Sequence, residues 1–277
     1  MIKITTLIED RPDENNEMVC EHGLSLYIEA GDKKILFDTG QTGAFIQNAD
    51  KLNKDLAAVD YVMISHGHYD HSGGFRKLAE TVPSISNLIV GAEFFELKYK
   101  TIGENQYKFV GTSFGEEYLE EQHISRLKIE EEIFSLSEDI MLFHKFEKHT
   151  KYETLKDKFY IKSEEVFFPD LFLDEVVMGI KTDKGLVVIA GCSHVGIVNI
   201  LKTIEKRTNM PIYAVIGGTH LIDADAARIN QTINDFKDMN IQVVAVSHCT
   251  GEVGTEMMKN AFQDKFILNN TGKVIEF

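Results

Sequence analysis

Six consecutive residues, His66-Gly67-His68-Tyr69-Asp70-His71, hold three imidazoles and one carboxylate, and Gly73-Gly74 follows almost at once. In an extended chain residues two apart point the same way. His66 and His68 are therefore able to converge on one metal ion. The backbone then turns, and Asp70 and His71 face a second point nearby. Gly67 leaves room for close approach, and Gly73-Gly74 allows a sharp turn into a helix. Imidazole with carboxylate suits zinc, iron and related ions. The plainer alternative is a set of surface or core-satisfied histidines. So many donors directly after an apolar strand, with glycines behind, favour metal binding.

The chain has ten histidines. His194 in GCSH, His220 in GGTH and His248 in SHCTG each end an apolar, strand-like run. If those ends share one rim, they meet the first cluster. His22, His123, His144 and His149 lack such placement and read as structural or solvent-exposed, although His22, in CEHG, is within reach of the rim. Cys192 follows LVVIAG directly. It is either a buried small hydrophobe, the usual fate of a free cysteine, or a thiolate at the metals. Cys249 points away from His248 in an extended chain and reads as a hydrophobe.

These donors need strands to carry them. Ile2–Glu9, Gly23–Ala30 and Lys33–Asp38 read as strands, with a turn at Gly31-Asp32. Phe45, Ala49, Leu52 and Leu56 recur at helical spacing. DYVMIS, 60–65, is a short apolar strand running into the histidine cluster, and a helix follows from Phe75. Later, EVVMGIKTDKGLVVIAGCSH predicts a hairpin around Thr182–Gly185. Helices carry Ile197, Leu201 and Ile204, then Ala226, Ile229, Ile233 and Phe236. PIYAVIGGTH and IQVVAVSHCTG are strands, and Lys273–Phe277 an edge strand. Tight turns between neighbouring strands, with helices interspersed, predict mixed sheets within one domain, 1–277. The stretch 93–169 has poor periodicity and reads as an insertion covering the active-site end, or as extra helices on the flank.

The totals bound the function. Apolar content of 43% and charged content of 26% over 277 residues are those of a globular protein. A net charge of −15 repels a phosphate backbone, so nucleic acid is disfavoured. The start, MIKITTLIEDRP, reads as a strand rather than a signal peptide. No apolar run approaches bilayer length. Three cysteines without a CxxC pair fit a reducing cytoplasm. The expected partner is a small anionic substrate, with no membrane; the sequence sets no oligomeric state.

SHGHYDHSGG resembles the HxHxDH signature of the metallo-β-lactamase superfamily, and LFDTG, with Asp38, resembles the motif that helps order its site. The resemblance implies an α/β (α+β) fold, an αββα sandwich of two mixed sheets flanked by helices, with metals at one edge. EHGLS (21–25), GCSHVGIVN (191–199), GGTHL (217–221) and HCTG (248–251) are together similar to one subfamily, the dihydropteroate-synthase-like metallohydrolases. Some of its members are assigned a step joining a dihydropterin-methyl diphosphate to a ribofuranosyl-aminobenzene phosphate.

Two departures from the superfamily pattern matter. No GH-type turn supplies a third histidine for the first metal, and Gly191-Cys192 stands where a GD motif usually gives a bridging Asp. With that in view, the resemblance implies two divalent ions, zinc first, with Mn or Fe also fitting. Because of those departures the expected ligand set differs from the superfamily's: His66, His68 and His194 around one ion and Asp70, His71 and His248 around the other, with Cys192 or a hydroxide bridging, or a single ion in place of the pair. His220 is a further ligand or a substrate-facing acid/base, and Asp70 orients the attacking water. A metal-bound water has its pKa lowered to about 7. The expected enzyme is a hydrolase of a phosphoester, lactone or similar ester. The alternative is a transferase in which an arylamine attacks instead of water, under an aromatic lid drawn from Phe94, Phe95, Tyr107, Phe109 and Phe114, whose plainer reading is simple core. A di-iron redox protein and a non-catalytic sensor rank lower. The first lacks a nucleotide loop for a flavin, and the intact cluster speaks against the second.

Overall fold

The computed structural model describes residues 1–154 and 158–277. In chain order its first elements are β1 (Ile2–Ile8), β2 (Ser25–Ala30), β3 (Lys33–Phe37), α1 (Phe45–Lys51), β4 (Tyr61–Met63), α2 (Tyr69–Ser72), α3 (Phe75–Thr81) and β5 (Asn87–Gly91). Next come β6 (Leu97–Gly103), β7 (Gln106–Phe109), α4 (Glu116–Glu121), β8 (Ser125–Ile129), β9 (Ile133–Ser135), β10 (Ile140–Phe143), β11 (Phe159–Ser163) and β12 (Val166–Pro169). The last are β13 (Val177–Thr182), β14 (Gly185–Ala190), α5 (Ile197–Thr208), β15 (Ile212–Gly218), α6 (Ala226–Asp238), β16 (Val243–Ser247), α7 (Gly251–Phe262) and β17 (Val274–Glu276). The chain divides into two compact units.

The first unit comprises Met1–Glu130, Lys156–Asp174 and Asn270–Phe277. Its larger sheet runs β17-β1-β2-β3-β4-β5-β8. The pairs from β17 to β3 are antiparallel, and those from β3 to β8 are parallel. Leu36, Val62, Ile64, Leu88 and Val90 pack with Phe45, Phe75 and Leu78 of the helices in one apolar core. The apolar spacing that runs from Phe45 to Leu56 does not make one helix. α1 stops at Lys51, Asn53 turns into the left-handed region (φ 53°), and Leu56–Ala58 forms a separate 3₁₀ turn.

A smaller antiparallel sheet, β12-β11-β6-β7, belongs to the same unit. Its alternation is inverted, which explains the poor periodicity of this stretch. Lys98 is buried, while Leu97, Phe109, Val166 and Phe168 are exposed. Helix accounts for little between 93 and 169 among the described residues, chiefly the one short α4. The remaining elements there are strands of all three sheets. Of the aromatics weighed as a lid or as core, Phe94 and Phe114 are buried in the first unit's core with Phe95 packed against it, so the core reading holds for these three. Tyr107 and Phe109 lie on β7, in an aromatic group with Tyr99, Tyr160 and Phe167.

The second unit, Glu131–Leu155 and Glu175–Asn269, carries one sheet in the order β16-β15-β14-β13-β10-β9. β13 and β14 form the expected hairpin, with Thr182 opposite Gly185. β14, β15 and β16 are parallel neighbours. Helices α5, α6 and α7 lay Ile197, Leu201, Ile204, Ile229, Phe236 and Met258 against them in a second core. Parallel neighbours direct their C-terminal ends the same way. The loops carrying Cys192, His194, His220 and His248 therefore open from one edge. No helix among the described residues is long and apolar enough to cross a membrane.

Candidate metal centre

In the first unit, strand β4 delivers the chain to Ser65, and the HxHxDH segment follows as a bend and the single turn α2, with His68 at its N-cap. His66, His68, Asp70 and His71 are all buried. A Cβ at Gly67 would stand 2.5 Å from the Phe94 carbonyl oxygen and 3.3 Å from Asp174 Oδ2, so only glycine fits that approach. The Gly67 N–H donates to Asp174 Oδ2 at 2.7 Å. Asp174 in turn accepts from Lys98 Nζ at 2.9 Å, as does Asp170.

Proton positions follow from Asp38, whose backbone is left-handed (φ 58°) and whose carboxylate is fully buried. It accepts from the Ser65 N–H at 2.7 Å, from Ser65 Oγ at 2.9 Å and from His71 Nδ1 at 2.6 Å. His71 therefore carries a proton on Nδ1, which leaves Nε2 as the nitrogen that would face a metal, as in a carboxylate-oriented ligand. Ser65 gives its only hydroxyl proton to Asp38, so it accepts from His66 Nδ1 at 3.0 Å and leaves Nε2 as the candidate donor atom of His66 as well. His66 Nε2 lies 3.1 Å from His68 Nδ1. Two nitrogens each about 2.0–2.1 Å from a tetrahedral ion are about 3.3 Å apart, so the spacing fits one shared cation. Burial, and then His71 and His68 nearby, hold His66 well below the usual imidazole range, in the neutral form a ligand needs.

The EHGLS segment braces this loop. Its His22 meets Asp10 through Nδ1 at 2.8 Å and Asp70 through Nε2 at 3.3 Å. The Leu24 N–H donates to the Asp70 carbonyl, and Ser25 Oγ to the Asp38 carbonyl. Glu21 caps the turn after LFDTG by accepting from Gln41 N, Thr42 N and Thr42 Oγ1. The Asp70 carboxylate also lies 3.8 Å from His71 Nε2.

In the second unit, Cys192, His194 and His248 are buried and His220 is half-buried. A donor atom of Cys192 lies within 4.8 Å of one on His194 and of one on His248. The rings of His194 and His220 are 4.4 Å apart. Ser193, His220 and His248 all have left-handed backbone, with φ of 61°, 49° and 51°. Such conformations are uncommon outside glycine and gather at functional sites. The loops are tied together by backbone-directed groups. Glu175 accepts the N–H of His194 at 2.8 Å and of Val195 at 3.1 Å. Ser193 Oγ donates to the Gly218 carbonyl. Cys249 does more than fill space: its thiol donates to the Cys192 carbonyl and accepts from the His220 N–H, each at 3.3 Å.

The remaining histidines are accounted for. His144 is buried, with Nδ1 at 3.1 Å from the Glu175 carbonyl, and His149 bonds Thr203 Oγ1. His123 is exposed in the loop after α4. Sequence reasoning did not single out Asp10, Ser65, Lys98, Asp170, Asp174 or Glu175. The only trace of the last three was acidic residues in an otherwise apolar loop, PDLFLDE.

Residues 19–198 match the metallo-beta-lactamase superfamily, and the chain belongs to that superfamily and has its fold. Within it, the chain is similar over its whole length to the 7,8-dihydropterin-6-methyl-4-(beta-D-ribofuranosyl)-aminobenzene-5'-phosphate synthase of Methanocaldococcus jannaschii, at 31% identity over 100% of this chain and 97% of that one. An uncharacterized protein of the same archaeon is 29% identical over 92% and 93% of the two chains. A crystal structure of a metal-dependent hydrolase of the beta-lactamase superfamily is 30% identical, with TM-score 0.86 over 100% of this chain and 99% of that one.

Proposed function

We propose that the chain is an enzyme using two divalent ions, zinc first among them, on a small anionic substrate. His66, His68, Asp70 and His71 would supply the donors of the first unit, and Cys192, His194 and His248 those of the second. The carrying observation is the hydrogen-bond order around Asp38, which engages Nδ1 of both His66 and His71 and so presents Nε2 of each as the candidate donor atom. When bound, such ions polarise a phosphoryl or carbonyl oxygen and lower the pKa of a coordinated water to about 7. Asp70 aligns the nucleophile, and His22 steadies Asp70 from behind. His220, half-buried beside His194, delivers a proton to the leaving group.

Two reactions suit these roles, and they differ in the nucleophile. In hydrolysis, water attacks the ester. In transfer, an arylamine nitrogen attacks the methylene carbon of a dihydropterin-methyl diphosphate; the C–O bond breaks, pyrophosphate leaves and the amine loses a proton. Full-length similarity to a pterin–aminobenzene synthase favours transfer, and similarity to a metal-dependent hydrolase favours hydrolysis. The test is an anaerobic assay of metal-loaded protein with hydroxymethyl-dihydropterin diphosphate, with and without an arylamine. Acceptor-dependent pyrophosphate release with a coupled product supports transfer. Turnover of simple phosphoesters or lactones without coupling supports hydrolysis. Loss of all turnover in His66→Ala together with loss of metal ties either reaction to this site.

A further inference from the structure

We infer that Lys100 and Lys158, whose ammonium groups lie against the Phe159 ring, and Lys108, opposite Lys100 on the next strand, form a phosphate-binding subsite beside His68. The inference rests on the proposed function and specifies which part of the substrate that site grips. Lys98 and Lys100 lie two residues apart on β6 and so share one face of the small sheet. Lys98 is matched by two carboxylates, Asp170 and Asp174. Lys100 is not matched: among the described residues no carboxylate pairs with it, and its ammonium lies 5.8 Å from the centre of the Phe159 ring. Lys158 Nζ approaches the same ring at 5.5 Å. Phe159 is buried, and its ring packs on His68 at 5.2 Å between centres. Two ammonium groups thus meet on the ring that supports a metal-donor histidine.

A third cation stands in the same row. Strand register places Lys100 between Phe159 of β11 and Lys108 of β7. Like charges directly opposite on a sheet repel. The chain as a whole carries −15, so acidic residues to neutralise Lys100 and Lys108 are abundant. Lys100 and Lys108, facing each other on strands beside the ring that packs on His68, have a chemical use if an anion sits between them. Compact, hydrated ammonium groups suit phosphate as point charges. The class of ligand is a phosphate or diphosphate monoester whose reacting end reaches the metals.

The test uses the metal-loaded full chain with inorganic pyrophosphate as probe, followed by titration calorimetry at low salt. Lys100→Ala is expected to weaken binding about tenfold, and Lys100→Ala with Lys108→Ala further still, with metal content and melting temperature unchanged. Lys100→Arg is expected to retain affinity, because charge and not shape is required. Unchanged affinity in the double variant, or no pyrophosphate binding by the loaded protein, overturns the subsite. Pyrophosphate binding that depends on Lys100 in a protein that turns over neither class of substrate would instead overturn the proposed function and leave the subsite standing.

Discussion

The Asp38 carboxylate and the His71 imidazole share a 2.6 Å hydrogen bond in a place where neither side chain reaches solvent. Asp38 spends its other contacts on Ser65, which in turn fixes His66. One carboxylate therefore sets the tautomers of two candidate ligands that are five residues apart. It does so from a left-handed backbone position that Asp tolerates better than most residues.

Replacing that carboxylate should loosen metal before it loosens the fold. Asp38→Asn keeps the shape, but its amide nitrogen cannot accept from His71. Metal affinity is expected to fall by about 10- to 100-fold, the usual cost of losing a partner behind a ligand. A competition titration against a chelator measures this. Wild-type affinity in Asp38→Asn would show that the histidine tautomers are set elsewhere.

What the sequence revealed and what it hid follow from range. HxHxDH, and a histidine or cysteine after each of β14, β15 and β16, are local patterns, and strand periodicity places them at strand ends. The family and its fold were legible for that reason. The partners that hold these loops are remote. Glu175 reaches His194 from 19 residues away, and Asp174 reaches Gly67 from 107. No spacing rule finds such pairs. The small sheet was obscured for a different cause: Lys98 points inward, and Leu97 and Phe168 point outward, so alternation gives the wrong face.

The buried Lys98 carries a stability prediction. Burial works against its charge, yet Asp174 and Asp170 outweigh burial and raise its pKa. Burial also raises Asp174, against the pull of Lys98. These directions oppose one another; with Lys98 Nζ at 2.9 Å and the Gly67 N–H at 2.7 Å both donating to Asp174, we take the pair as ionised. Lys98→Met leaves two buried carboxylates without a cation and is expected to cost about 3–5 kcal/mol in urea unfolding. Adding Asp170→Asn and Asp174→Asn to that variant is expected to recover part of the loss, and no recovery would show that the lysine acts by packing alone.

Glu153 sets a pH dependence. It accepts from the N–H groups of Val198 and Asn199 at the start of α5, where Gly196 offers no side chain to cap the helix. Burial nevertheless raises its pKa above the ordinary 4.5. The folded state then holds the proton to higher pH than the unfolded chain does. Stability from this group is complete below 4.5 and declines as pH rises toward the folded value. Glu153→Gln cannot titrate. The stability difference between wild type and this variant should therefore move against the wild type as pH rises above 4.5, and then level off. Urea midpoints of both proteins across that range test the sign. A difference that moved toward the wild type would mean that the helix terminus, not burial, governs Glu153.

The role of His220 can be separated from that of the ligands. Its backbone is left-handed, so Asn, which tolerates that conformation, replaces it with little strain. If His220 delivers a proton, His220→Asn should keep its metal and lose about 10²- to 10⁴-fold in kcat, the range for a general acid. The loss should shrink for substrates whose leaving group needs no proton, because the missing acid then has nothing to do. If His220 is a ligand, the variant should lose metal, and its rate should fall alike for good and poor leaving groups. Metal analysis and a leaving-group series on the same preparation separate the two outcomes. His194, whose ring lies 4.4 Å from that of His220, supplies the control, since His194→Asn should lose metal in either case.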